Sequence, residues 1–364
     1  MINNKIHDDF FKNAILKGDT SLYDDFSQSV IEKQVGPDVF FEIKKDSDHY
    51  RINERITKIV LSQVPINSSA CGFVPNKSYY DFLKPHIKGY YFLRLDIKNF
   101  FHSIPKKYVE ELFKQYFSDK KNEQKYSSLE LALMSVLYKT NIFDDEKDKI
   151  VLPIGFPSSP VISNILFRKI DILIQKFCEE KNIIYSRYAD DMLFSSSKSN
   201  YLHSEYFERE ISFFLSTLAL KLKRRKRKAT ENTISLNGYV IQNEKPKKRF
   251  LFNVYKEERV GTIRLSNKKI KIIKKLSAHL IKGSSPVVIM ENLFNLNPYK
   301  FKKKYNSNIQ FYNKYSRDQL QNKIKGYRSY LVSLIRFNEK HGCIDKKCLE
   351  TAIKLVSILE DNIT

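Results

Sequence analysis

Cysteine is scarce, with four in 364 residues, and only Cys343 and Cys348, in "CIDKKC", lie close together. No second pair of Cys or His stands at zinc-ligand spacing, so ordinary reduced thiols are expected in place of a disulfide framework or a zinc site. Glycine and proline number only 10 and 11 and form no run, and with 42% hydrophobic residues this excludes a disordered chain. No stretch of about 20 apolar residues occurs, and Met1 opens no n-region followed by an apolar h-region. Membrane insertion and secretion are therefore not expected, and the cytoplasm is the expected compartment.

Negative charge is also in short supply. Lys and Arg total 64 against 41 Asp and Glu, a formal net charge of +23. An excess of that size attracts polyanions through counterion release, which places nucleic acid first among partners and an anionic membrane surface well behind. It says nothing about chemistry. The length allows two or three domains with a sizeable core.

The acids that remain include four Asp-Asp pairs: Asp8-Asp9, Asp24-Asp25, Asp144-Asp145 and Asp190-Asp191. Residues 1–38 read as a helical extension of two short helices, with the first two pairs near helix starts, where the dipole favours acids. Asp144-Asp145 lies in "TNIFDDEKDKI", a solvated polar turn. Only Asp190-Asp191, in "YSRYADDMLFSS", is flanked by β-formers on both sides, which puts it at a hairpin tip. Upstream, "VFFEIKKDSDHYRINER" suggests a hairpin bearing Lys44, Lys45 and Arg51. A second strong β run, "GYYFLRLD", carries Asp96 at its end. Residues 106–140 have helical spacing, and "PIGFPSSPVISNILFRKIDILIQKF" runs from a loop into a long amphipathic helix with Ser158 and Ser159 near its start. After a helix near 203–219, seven of the eight residues from 221 to 228 are basic. The short β run "ISLNGYVI" follows. Beyond about 245 the chain is Lys-rich, helical and interleaved with Tyr and Phe.

A carboxylate on a largely buried strand costs free energy unless it is paired or binds a cation. Asp96, Asp190 and Asp191 offer three hard oxygen ligands with few histidines nearby, a set that suits Mg²⁺ or Mn²⁺ better than Zn²⁺. Two such ions, roughly 3.5–4 Å apart, hold the attacking and leaving oxygens of an in-line phosphoryl displacement.

"LRLDIKNFFHSI", "LPIGFPSSPVISNILF" and "RYADDMLFSS", in that order and at these separations, resemble motifs A, B and C of reverse transcriptases. "FF.SI" and "SSP.ISN" give a prokaryotic flavour, similar to retron, group II intron and anti-phage defence-associated enzymes. The resemblance covers residues 39–245 well and the tail loosely. It implies an α+β right-hand polymerase: fingers and palm within 39–245 and a helical basic thumb, able to hold RNA, over 246–364. It implies RNA-directed DNA synthesis with two Mg²⁺ ions, or Mn²⁺ in their place, held by Asp96, Asp190, Asp191 and the carbonyl of Ile97. By the same resemblance Phe101 blocks a ribose 2′-OH and so selects dNTPs. Gly155, Phe156, Pro157 and Ser158 support the incoming nucleotide and template base, Arg51 with Lys44 or Lys45 grips the triphosphate, and Lys226 gives a proton to pyrophosphate. "LNGYVI" sits at the primer grip.

Two positions depart from the pattern. Ile154 stands where many reverse transcriptases have Gln before the motif B glycine, which puts conventional template contacts in doubt. Leu236-Asn237-Gly238 replaces the Val-Thr-Gly triplet usual in retron enzymes, which favours the defence-associated group. No maturase-like extension, endonuclease or integrase module is recognisable after residue 245, so a cognate structured non-coding RNA is the expected partner, with a DNA product. Branched RNA-linked DNA made by a retron enzyme, template-independent or protein-primed synthesis, and an inactive RNA-binding scaffold are the rival readings. Homo-oligomerisation and an effector protein stay open.

Overall fold

The computed structural model describes residues 5–18, 26–36, 38–121, 125–140, 149–244, 260–305 and 308–363. The chain divides into two compact units, Met1–Pro85 with Tyr91–Ala229, and His86–Tyr90 with Thr230–Thr364. The change of unit at 229–230 precedes the composition shift near 245. Asp24-Asp25, Asp144-Asp145 and the stretch 245–259 lie outside the described residues.

The first unit opens with α1 (Asp8–Phe10), continued by wider helical turns to Leu16. Asp8 and Asp9 occupy its first turn, as a helix N-terminus favours. Among the described residues only a short 3₁₀ turn, Phe26–Ser29, follows before the first strand. Residues expected to be helical form β1 (Val30–Val35), paired antiparallel with β2 (Asp38–Ile43) after a turn in which Gly36 has φ +63°. The segment expected to complete a hairpin through "HYRIN" is helical instead: α2 (Asp48–Arg55) starts where the Ser47 side chain accepts a hydrogen bond from the Tyr50 N–H. That cap overrides the β preference of Tyr50 and Ile52. α3 (Tyr79–Leu83), α4 (Lys106–Phe113) and α5 (Ser128–Val136) follow. The helical spacing read through residue 140 ends sooner, because Tyr138–Thr140 is β4, paired with β5 (Lys149–Val151).

At the centre, β3 (Tyr91–Asp96) lies antiparallel to β7 (Asp191–Ser196), which also pairs with β6 (Ile184–Tyr188); the sheet order is β6-β7-β3-β8, with β8 at Lys228–Glu231. All six residues of β7 are buried, so it is the central, buried strand of the sheet. α6 (Ser159–Glu180) and α7 (Glu205–Ser216) add Phe167, Ile170, Ile174, Phe207 and Ile211 to the same core as Leu93, Met192 and Phe194. Fully burying each such side chain contributes about 1.5–3 kcal/mol, and the register this fixes sets Asp96 opposite Asp191.

In the second unit β9 (Thr233–Leu236), β10 (Tyr239–Gln242) and β11 (Thr262–Leu265) form an antiparallel sheet. Asn237 and Gly238, at φ +46° and +93°, make the β9–β10 turn, the dipeptide that a tight hairpin prefers. The rest is helical: α8 (Asn267–Ile281), α9 (Pro286–Phe294), α10 (Pro298–Tyr305), α11 (Ile309–His341) and α12 (Lys346–Glu360). Cys343 and Cys348 are buried here, and the Cys348 sulfur accepts a hydrogen bond from the Leu265 N–H. No helix among the described residues is long and apolar enough to cross a membrane.

Candidate active site

Strand register brings the three carboxylates together. Asp96 ends β3, Asp191 begins β7 opposite it, and Asp190 occupies the two-residue β6–β7 turn with Ala189. The Asp190 carbonyl accepts a hydrogen bond from the Ile97 N–H at 3.1 Å, which ties the turn to the chain leaving β3. Ala189 holds φ +56°, a conformation that costs an L-residue roughly 1–2 kcal/mol. The surroundings fix that strained turn. Arg187, wholly buried, donates to the Ala189 carbonyl at 3.0 Å, to Asp171 of α6 at 3.0 and 2.7 Å, and to Asn164 of α6 at 3.1 Å. Tyr185 donates to the same Asp171 carboxylate at 2.7 Å. From the other side Gly72 lies so close that a Cβ there would stand 2.6 Å from the Ala189 nitrogen.

Two cations reach the carboxylates. Arg94, on β3, donates from Nε and a terminal nitrogen to one oxygen of Asp191, at 2.9 and 2.5 Å. Lys226 Nζ donates to Asp96 Oδ2 at 2.7 Å. The basic run is steered there by its backbone, because the Lys98 N–H donates to the Lys221 carbonyl and the Lys223 N–H to that of Asp96. A tight helical turn at Arg224–Lys226 then brings Lys226 to Asp96. That hydrogen bond raises the Lys226 pKa. Asp190 has no ion pair among the described residues, and burial, then Asp191 and Asp96, push its carboxyl upward. Burial raises Asp191 as well, with Arg94 opposing the rise.

The group is short of positive charge. Asp96, 2% exposed, has its Oδ1 buried without a hydrogen-bond partner, an orphan that a cation would satisfy. Among the described residues no three acidic, His or Cys side chains close into a ready-made cage. Mg²⁺ does not need one, since it takes one or two carboxylates and completes its shell with water and substrate phosphates. Asp96 Oδ1, Asp190 and the oxygen of Asp191 that Arg94 leaves free are the donors that could hold it.

The other expected residues divide. Ile97 is buried beside Asp96 and bridges to Leu222. Phe101 is half-buried, its ring 5.2 Å from Phe100 and 6.4 Å from Phe73, which in turn lies 6.3 Å from Tyr188 next to the Asp pair. Phe156 and Ser158 are buried, the first with Phe41 and Val151, the second bonded through Oγ and N–H to the Asn53 side chain. Ser158 therefore does not cap α6 with its side chain. Gly155, at φ +112°, packs so tightly that a Cβ would stand 2.2 Å from the Phe41 carbonyl oxygen, and Ile154 accepts the Phe41 N–H at 2.8 Å. Pro157 lies in this loop. Arg51 is exposed on α2, its guanidinium engaged by Asp48 and the Asp46 carbonyl. No contact joins it to the carboxylates. Lys44 and Lys45 follow β2. Arg94, Arg187, Asp171, Asn53 and Gly72 were not picked out from the sequence, because their partners lie far along the chain.

Residues 44–252, more than half of the chain, match the family model described as reverse transcriptase (RNA-dependent DNA polymerase). The chain belongs to the reverse transcriptase family. Its mixture of helices and antiparallel sheet is the right-hand polymerase fold of reverse transcriptases. Retron Ec83 reverse transcriptase of Escherichia coli is 35% identical over 151 residues, 42% of this chain and 46% of that protein. Retron Ec73 reverse transcriptase, also from Escherichia coli, is 34% identical over 143 residues, 38% of this chain and 43% of that protein. The chain spans less than half the length of these curated relatives. A solved Candida albicans telomerase, in complex with a TWJ fragment of telomeric RNA, overlays with TM-score 0.41 and 12% identity over 92% of this chain and 62% of that one.

Proposed function

We propose that this reverse transcriptase-family chain copies RNA into DNA by two-metal nucleotidyl transfer, with Asp96, Asp190, Asp191 and the Ile97 carbonyl holding two Mg²⁺ ions, or Mn²⁺. The observation that carries this is the triad at the facing ends of β3 and β7, with more negative charge than Arg94 and Lys226 neutralise. In the reaction the primer hydroxyl gives up its proton to solvent, its oxygen bonds to the α-phosphorus of a dNTP, the bond from that phosphorus to the bridging oxygen breaks, and pyrophosphate leaves with the electron pair. When bound, the ions supply Lewis acidity to the attacking and leaving oxygens. Arg94 orients Asp191 through one oxygen. Lys226 gives its proton to the departing pyrophosphate, and Asp96 keeps it charged until then. Phe101, backed by Phe100 and Phe73, excludes a 2′-OH. The loop at Gly155, Phe156, Pro157 and Ser158 shapes the nucleotide pocket with its backbone, since two of its side chains are buried. Arg51 with Lys44 or Lys45 grips the triphosphate, with Asp48 giving way.

The template is a cognate structured non-coding RNA, the compartment is the bacterial cytoplasm, and the role is anti-phage defence. The names of the relatives support a retron enzyme, making DNA linked to its RNA through a 2′-5′ branch, as the second reading.

The test is to purify the protein from its native locus and sequence bound RNA and DNA separately, for wild type and Asp190→Ala. One structured RNA in both, with complementary DNA in wild type alone, is the expected result. A 2′-5′ junction in that product selects the retron reading. Mg²⁺-dependent dNTP incorporation by a protein lacking both Asp190 and Asp191 carboxylates rejects the mechanism.

A further inference from the structure

The helix α7 has three faces. Phe207, Ile211 and Leu215 are buried in the core. Glu208, Arg209 and Ser212 face an open groove of about 1070 Å³, whose other wall includes Lys221, Leu222 and Arg224. The third face carries Tyr206 and Phe213, which are 58% and 66% exposed. They stand seven residues apart, about 10 Å along the axis and on the same side, and Tyr201 lies 6.4 Å from Tyr206.

Charge is distributed unevenly around this helix. Arg227 is paired with Glu208 at 2.7 Å, Arg209 with Glu205 at 3.2 Å, and Lys226 with Asp96. Lys221, Lys223, Arg224 and Arg225 are exposed, and among the described residues no acid pairs with any of them. A solvated basic run explains four free cations. It does not explain two large aromatic rings held in water on another face of the same helix. An apolar partner would leave the cations of the groove unused, whereas a nucleic acid strand crossing from one face to the other uses both, stacking bases on the rings and setting phosphates on the cations.

We propose that α7 and residues 221–225 form a single-stranded RNA surface outside the carboxylate site, with Tyr206 and Phe213 stacking bases and Lys221 and Arg224 contacting phosphates along the groove. This rests on the reading that the chain works with an RNA partner. It does not depend on polymerase chemistry, so it is tested without metal or dNTP.

The full chain is titrated with a fluorescein-labelled 20-nucleotide oligo(U) at several salt concentrations, followed by anisotropy. Tyr206→Ala with Phe213→Ala is expected to weaken binding about tenfold or more with the salt slope unchanged. Lys221→Glu with Arg224→Glu is expected to weaken it and to flatten the log K against log salt slope by more than about 1. Photo-crosslinking of 4-thiouridine RNA is expected to mark the peptide containing Tyr206 or Phe213. All four side chains are exposed, so melting temperatures stay at the wild-type value, and in the variant lacking the two aromatic rings extension of a pre-annealed DNA primer on a short RNA template also persists. Wild-type affinity and slope in both variants, or crosslinks confined to other segments, overturn the proposal. So does loss of anionic vesicle binding with RNA binding intact, which would make the surface a lipid contact. Loss of extension in wild type itself would reject the polymerase reading and leave this one standing.

Discussion

Asp190 and Asp191 are neighbours in sequence but not in electrostatic circumstance. Asp191 leans on Arg94, while Asp190 has burial and two nearby carboxylates against it, with the charge of Lys226 opposing them but no ion pair among the described residues. A carboxyl raised above its unfolded value contributes stability that is full below the usual carboxylate range and is lost as pH rises through the raised value. At neutral pH, ionised Asp190 is therefore a cost to the metal-free fold. Asp190→Asn is expected to raise the melting temperature without Mg²⁺ by roughly 1–2 °C, to abolish the further rise that Mg²⁺ gives wild type, and to eliminate dNTP incorporation. Asp191→Asn strips Arg94 of its charged partner and is expected to lower the melting temperature instead. Thermal melts with and without Mg²⁺ decide, and equal shifts from the two substitutions would contradict the asymmetry.

At the level of elements, the hairpin carrying the Asp pair depends on the helix that precedes it in the chain. Arg187 of β6 and Asp171 of α6 form a fully buried ion pair, and Arg187 spends a further hydrogen bond on the Ala189 carbonyl. Removing one member leaves an uncompensated buried charge, at a cost of about 3–5 kcal/mol, whereas replacing both with apolar residues is often nearly neutral. Asp171→Asn and Arg187→Met are each expected to lose stability of that size. The double variant Asp171→Leu with Arg187→Met is expected to recover most of it without recovering incorporation, because the Ala189 carbonyl then loses its donor and the strained turn its side-chain clamp. Chemical denaturation beside a primer-extension assay separates the two effects, and full activity in the double variant would show the pair to be structural only. The hairpin and β3 were legible in the sequence because aromatic and β-branched residues flank their acids and their pairing is dictated by burial. The clamp was not, since Asp171 and Arg187 stand 16 positions apart and no local pattern announces their meeting. Gly72 and Asn53 went unnoticed for the same reason. Where local signals competed the outcome was mixed: the Ser47 cap turned "HYRIN" into helix, and pairing with β2 drew Val30–Val35 into a strand despite its charged residues.

Across the whole molecule each compact unit buries one histidine whose charging burial opposes. His49, 1% exposed, bonds through Nε2 to the Ser135 carbonyl at 2.8 Å and meets Ser29 Oγ at 2.7 Å, and burial pulls its pKa from 6.5 to about 4. Its ring also packs edge-on against Phe156, so it supports the motif B loop from behind. His86, in the second unit, is drawn by burial to about 3. For both groups the unfolded chain binds the proton first as pH falls, so stability present above about 6.5 declines toward the depressed values. For His49 alone a shift of that size amounts to about 3 kcal/mol. The wild-type chain is therefore expected to show denaturation midpoints that are flat above pH 7 and fall steadily between pH 6.5 and 4. His49→Gln, which keeps hydrogen-bonding capacity but does not titrate, is expected to lower stability at pH 7.5 and to make the decline shallower. A parallel decline in the variant would assign the acid sensitivity to other groups, and tryptic mapping at pH 5 would then show which of the two units opens first.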